Sequence, residues 1–106
     1  ELLLKFEIDA VIATNTTITR NSVEHLPFGN ELGGLSGKPV FNLSNRVISE
    51  LHQHLKGHIP IIGVGGIFSA NDALEKINCG ASVVQIYSGL IYEGPHLITA
   101  CADALK

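Results

Sequence analysis

Basic charge is scarce in this sequence and thinly spread. Seven lysines and arginines face ten carboxylates over 106 residues, for a formal net charge of −3. Nucleic-acid and anionic-membrane footprints need a clustered basic face, so this scatter argues against either within the segment. No uninterrupted apolar run approaches the roughly 18–20 residues of a membrane span, and no signal peptide is expected, since Glu1 opens directly into LLLKF. Cysteine is nearly absent: Cys79 and Cys101 stand 22 apart, with no CxxC spacing. They read as reduced packing residues of a cytosolic-type protein, not as a disulfide or a zinc pair. Charged residues make up only 16% while hydrophobic ones reach 45%, so this is neither a disordered segment nor a polar tail. The length suits one small domain or a piece of a larger one. The start at Glu1, inside an apolar segment with no capping residue ahead of it, reads as a cut end.

What is present is an alternation. Residues 2–6 read as the last turn of a helix, and 8–13 (IDAVIA) as a short buried strand rich in β-branched residues. Residues 14–41 carry several glycines and two prolines without any period, and a loop of that length in a compact domain is usually functional. A helix is predicted over about 43–56, capped by Asn42 or Ser44, with Leu43, Val47, Ile48, Leu51 and Leu55 inward and Gly57 as its left-handed stop. A second strand is predicted over 59–64, with Pro60 at its edge. A second helix over 70–79 opens on the capping-box-like Ser69-x-x-Asp72, turns Ala70, Ala73, Leu74 and Ile77 inward and ends at Gly80. A third strand over 82–87 precedes a helix over 95–105, with Pro95 at its first position and Leu97, Ile98, Cys101 and Leu105 inward. Strands that read as continuously apolar and alternate with helices imply a parallel α/β sheet with right-handed crossovers. Three βα units in this length match the pace of a (β/α)8 barrel and equally of a doubly wound sheet.

In both architectures ligands bind beyond the C-terminal strand ends. Those ends read Thr14-Asn15-Thr16-Thr17, Gly65-Gly66 and Ser88-Gly89. They are rich in glycine and in hydrogen-bonding groups, and none has a charged side chain close by. Bare backbone lets a phosphate approach N–H donors, and the helix after Ser69 points its positive end the same way. Gly65-Gly66 and Ser88-Gly89 therefore read as a phosphate cradle built from two successive βα turns, with tight turn geometry alone as the alternative. Asn15, Thr16 and Thr17 suit a heterocycle with amide edges, or else strand-end capping and an Asx turn. GGLSG at 33–37 lacks the features of a P-loop and is not GxGxxG; Lys38 after it reads as a solvated charge. His52, His54 and His58 crowd a helix end that Gly57 interrupts, so no metal site is expected there. No Ser-His-Asp, Cys-His or paired-carboxylate arrangement is visible, and a proton-transfer group is expected elsewhere.

Four motifs then line up in order: ATNTT, NELGGLSGKP, PIIGVGGI followed by DALEKI, and GASVVQIYSGLIYEGP. Together they cover residues 8–96 almost without gaps. They resemble the C-terminal part of the dihydroorotate dehydrogenases, flavin enzymes of pyrimidine synthesis. The resemblance implies that residues 1–106 form the last three βα units, strands six to eight, of an FMN-binding (β/α)8 TIM barrel, an incomplete domain. It implies that Thr14, Gly37, Gly66, Tyr87 and Ser88 contact FMN, and that Asn15 and Thr16 hydrogen-bond dihydroorotate or orotate. The catalytic base (a serine) and a lysine near the flavin would lie upstream, as would the region that meets quinone. Gly37 followed at once by Lys38-Pro39 looks like the quinone-linked, membrane-associated class. That class implies a peripheral position on the cytoplasmic side of the membrane for the intact protein and a soluble fragment.

Two departures stand out. Glu7 sits where the family usually has a helix-ending glycine, and Ser88 where threonine is frequent. A cut barrel leaves two open strand edges, so the fragment is expected to self-associate and to be inactive alone. The readings from other classes are a stand-alone phosphate-binding module and a purely structural half-barrel.

Overall fold

The computed structural model describes residues 1–106. Strands β1 (Val11–Ala13), β2 (Ile61–Val64) and β3 (Val83–Gln85) pair in chain order into one parallel sheet. A short helix, α1 (Leu2–Lys5), precedes β1. A 3-10 turn over Lys38–Val40 feeds α2 (Phe41–Leu55), which crosses to β2; α3 (Ala70–Asn78) crosses to β3. Helices α4 (Ser88–Glu93) and α5 (His96–Ala104) follow. The strands are shorter than the apolar runs that predicted them, because the ladder spans only what its neighbour can match. Ala13 is opposite Gly63 and Gln85 is opposite Val64, so Ile8 lies outside β1 and Ile86-Tyr87 lie outside β3.

Alternation along the strands sorts side chains onto two faces. Val11, Ala13, Ile61 and Val84 point to the helices. There Ala13, Ile48, Leu55, Ile59, Ile61 and Ala81 form one core cluster, and Ile67, Ala73, Leu97 and Cys101 a second. The other face bears Ile12, Ile62 and Val83 in one register row and Val64 opposite Gln85 in the next. No element covers it: Ile12 and Val83 are more than half exposed. The molecule is accordingly a slab of 43 × 32 × 17 Å, one layer of helix on one layer of sheet. The two cysteines are free and serve different clusters, Cys79 against the first and Cys101 within the second. Burial raises the Cys101 thiol pKa, and Asp72 adds to the shift. No helix is long and apolar enough to cross a membrane.

Helix α2 differs from its prediction at both ends and in its inward face. It begins at Phe41, straight from the 3-10 turn, and has no side-chain cap. Ser44 is no cap either: it is fully buried and donates to the Val64 carbonyl at 2.6 Å. At the other end Lys56 takes the left-handed conformation itself, with φ +51°, ahead of Gly57. The inward stripe runs Ser44, Ile48, Leu51, Leu55 in steps of four, three and four, one face of a helix. Leu43 and Val47 sit one residue behind it and are exposed.

Helix α3 keeps the predicted start. Ser69 accepts the Asp72 N–H at 3.2 Å, and Asp72 accepts the Phe68 N–H at 2.9 Å. Its inward face is different: Leu74 is exposed, and Lys76 is completely buried. The Lys76 ammonium donates to Ser44 Oγ at 2.9 Å and to Asn45 Oδ1 at 2.7 Å, and lies 4.7 Å from the centre of the Phe41 ring. Two polar residues of α2 thus occupy core positions because a lysine of α3 needs acceptors there. In α5, Leu97 and Cys101 point inward and Leu105 is half-buried, while Ile98 is exposed.

Two stability measurements follow from this packing. Burial pushes the Lys76 pKa down to about 8, against the opposing pull of Cys79, Asp72 and Glu75. Between that value and the ordinary one of 10.5 the unfolded chain holds more protons, so raising the pH favours the fold. Urea unfolding at pH 7 and pH 10 should show the parent gaining up to about 3 kcal/mol relative to Lys76→Met; parallel pH dependences would contradict it. Glu7 leaves α1 with φ +51°, a conformation unfavourable to any residue with a Cβ. Glu7→Gly is expected to raise the unfolding midpoint, worth about 0.5–1 kcal/mol once the left-handed penalty is set against glycine's entropy, and a lowered midpoint would contradict it.

Candidate ligand cleft at the strand ends

Parallel strands bring their C-terminal ends to one edge, and the three following turns meet there. They enclose a cleft of about 520 Å³. From the β1 turn come Thr14, Asn15 and Thr16; from the loop before α2, Ser36 and Gly37; from the β2 turn, Gly65 and Gly66; from the β3 turn, Tyr87 and Ser88. The seven residues that the resemblance assigned to flavin and substrate all line this one cleft, whereas Thr17 of the same strand-end group does not. No charged side chain lines it. Ile12, Val64 and Gln85, from the uncovered face of the sheet, form its floor.

The loop of 14–41 is tied down so that it closes one side. Thr17 and Leu35 exchange two backbone hydrogen bonds, at 3.0 and 2.7 Å. Arg20 donates to the carbonyls of Glu31 and Gly33. Thr16 packs its hydroxyl directly on the bare Cα of Gly34, which explains one glycine of GGLSG. Ser36 Oγ meets Ser88 Oγ at 2.9 Å, joining this loop to the turn after β3. Asn15 accepts the Thr16 N–H at 2.8 Å through Oδ1, so its amide NH₂ remains to donate. Lys38 is outside the cleft, with its ammonium 5.3 Å from the Phe68 ring centre.

The glycine pair does two things at once. Gly65 and Gly66 have φ of +129° and +71°, where a side chain is strained. Their bare Cα atoms face α2: a Cβ on Gly65 would stand 2.6 Å from Val40 Cγ1, and one on Gly66 2.6 Å from Phe41 Cβ. The missing side chains therefore let α2 close from behind, while the opposite side of the turn lines the cleft. No oxygen of the chain accepts from the N–H groups of Gly65, Gly66 or Tyr87. Ser88-Gly89 is only half the cradle that was expected. Ser88 faces the cleft, but Gly89 is buried against the Ile67 carbonyl and Leu97. Its bareness serves helix packing and not a ligand. No group of three or more His, Cys, Asp or Glu side chains is gathered anywhere in a way that could hold a metal.

Sequence reading missed Ser36 and Gln85 as lining residues, and the buried Lys76–Ser44–Asn45 cluster. The last had a signal. Lys76 stands three after Ala73 and Ser44 four before Ile48, so both fall on inward stripes.

The family profile described as dihydroorotate dehydrogenase matches residues 1–106. Among curated relatives, a protein of Polynucleobacter necessarius named dihydroorotate dehydrogenase (quinone) is 61% identical over 106 residues, which is all of this chain and 31% of the relative. One of the same name from Nitrosomonas europaea is 62% identical over 104 residues, 98% of this chain and 30% of its own length. The crystal structure of a ligand-free DHODH from Eimeria tenella superposes with a TM-score of 0.90 at 36% identity, covering 98% of this chain and 29% of that one. This chain thus spans under a third of the length of the relatives it matches, and its three parallel βα units form a partial TIM barrel. The strand-end cleft, the four motifs and these matches agree, and the chain belongs to the dihydroorotate dehydrogenase family.

Proposed function

We propose that this chain forms the cofactor-phosphate and pyrimidine end of a quinone-linked dihydroorotate dehydrogenase, as the C-terminal part of a longer barrel. The intact enzyme would oxidise dihydroorotate to orotate in pyrimidine synthesis, at a peripheral membrane position where quinone is reached through a region outside this segment. One observation carries the reading: Gly65, Gly66 and Tyr87, whose backbone N–H groups no oxygen of the chain claims, line the same cleft as Asn15 and Thr16. Amide donors without side-chain charge suit a phosphate held close to the backbone. A planar amide-edged ring suits the neighbouring Asn15.

FMN, when bound, supplies the acceptor for the hydride leaving C6 of dihydroorotate. Everything else assigned to this chain is binding and orientation. Gly66 and Ser88 would hold the phosphate end, with Gly37, Tyr87 and Thr14 lining the path from it to the ring. Asn15 keeps its NH₂ for a carbonyl of the substrate because its Oδ1 is spent on Thr16. The Thr17–Leu35 pairing and the Ser36–Ser88 contact hold these groups in one arrangement, which is where catalytic gain from orientation originates. The base for C5 and the flavin-proximal lysine belong to the upstream part of the barrel. That part would also cover Ile12, Ile62 and Val83.

Exchanging this segment for the matching 31% of the Polynucleobacter relative gives a full-length protein on which the reading is decided. It is expected to retain FMN and to oxidise dihydroorotate with a quinone, whereas the 106-residue chain alone should show no turnover. A folded chimera that binds no flavin would overturn the assignment. In the same protein Gly66→Ala should weaken FMN at least tenfold, since its Cβ meets Phe41; unchanged retention would remove Gly66 from the site. Taken alone, the chain should sediment as oligomers through its bare sheet face and open edges, and a monodisperse monomer would contradict that.

A further inference from the structure

Lys76 is the only charged residue buried in the protein, and the binding chemistry above makes no use of it. It has no carboxylate within 4.0 Å; the sole ion pair is Lys106 with Asp103 at the surface. Its ammonium donates to Ser44 and Asn45, and its charge meets only the more distant pull of Cys79, Asp72 and Glu75. A buried ammonium without a counter-charge is costly, so its position carries information.

That position is directly behind the glycine pair. Ser44 Oγ accepts from Lys76, donates to the Val64 carbonyl and sits 3.0 Å from where a Gly65 Cβ would be. Phe41, whose ring lies under the same ammonium, packs its backbone on Gly66. Lys76 thus reaches one residue that supports Gly65 and another that supports Gly66. The cleft wall formed by these glycines has N–H donors and no charge, and the nearest buried cation stands one side-chain layer behind it.

We propose that Lys76 is the hidden counter-charge and positioning residue of the phosphate subsite: through Ser44 and Phe41 it fixes the Gly65–Gly66 turn, and its ammonium favours a phosphate dianion on the turn's far side without touching it. The proposal rests on the FMN reading of the cleft. In a low-dielectric interior a unit charge acts over such a distance with little screening. The titratable groups that bear on Lys76 are Cys79, Asp72 and Glu75, all on or beside its own helix; α2 faces it with the uncharged Ser44, Asn45 and Phe41.

The test uses the full-length chimera stripped of flavin, with FMN and riboflavin compared by fluorescence quenching at pH 7. These ligands differ only in the phosphate, so their affinity ratio isolates this subsite. The parent should bind FMN much more tightly; equal affinities, or no binding, would sink the phosphate reading itself. Given that preference, Lys76→Met should weaken FMN about tenfold and leave riboflavin within twofold. A purely structural lysine would weaken both alike, and that result, or no change in either, overturns the proposal while leaving the FMN site intact. The same ratio in the parent, followed from pH 7 to 9.5, needs no variant to fold. It should fall severalfold as Lys76 loses its proton, since ionisation of the flavin ring is common to both ligands. A ratio constant with pH overturns the proposal equally.

Discussion

Parallel pairing in chain order is the constraint from which the rest of this structure follows. When β1, β2 and β3 run the same way and lie side by side, every strand ends at the same edge. The return journeys must be made by helices on one face. Three turns that are 51 and 23 residues apart in the chain, at Thr14, Gly65 and Ser88, are thereby brought into one cleft. The hydrogen bond from Thr14 N–H to the Val64 carbonyl, at 2.8 Å, extends this pairing one residue beyond the β1 ladder and into the site.

The same constraint leaves one face of the sheet bare. Helices occupy the side of Val11, Ala13 and Ile61, and nothing occupies the side of Ile12, Ile62 and Val83. A sheet with apolar residues on both faces is built to be covered on both. In a closed barrel the second face is the interior, filled by strands across the axis. The partial match to relatives three times as long and the exposed inner face are thus two views of one fact.

Electrostatics at the cleft is arranged in depth. The wall offers backbone donors and hydroxyls, and the nearest cation of the core is set behind it. Direct lysine or arginine contacts would grip an anion more strongly, but they would also bring flexible, hydrated side chains into the cleft proposed to hold FMN. Main-chain amides held by the closure of α2 on Gly65 and Gly66 have no such freedom. The glycines are required by that closure as much as by any ligand, since a Cβ at either would strike Val40, Ser44 or Phe41.

Much of this was legible in the residues themselves. The three apolar runs located the strands, and Ser69-x-x-Asp72 located the start of α3. The glycine and hydroxyl residues after each strand located the cleft, because backbone chemistry of that kind is written locally. Other features depend on partners distant in sequence and so needed the tertiary structure. Leu43 and Leu74 look like core and are exposed; Ser44, Asn45 and Lys76 look like surface and are buried. Hydrophobicity ranks single residues, whereas burial is decided by which helix face meets another element, and here a lysine and its two acceptors, 31 and 32 residues away, satisfy one another. Gly89 makes the same point from the other side. In sequence it stands like a phosphate-binding glycine, yet the Ile67 carbonyl occupies the space beside it. The chain by itself determined which segments become strands and what chemistry waits at their ends. Only the packing of α2 and α3 against the sheet decided which of those groups face a ligand, because that choice is made by contacts between residues the sequence keeps apart.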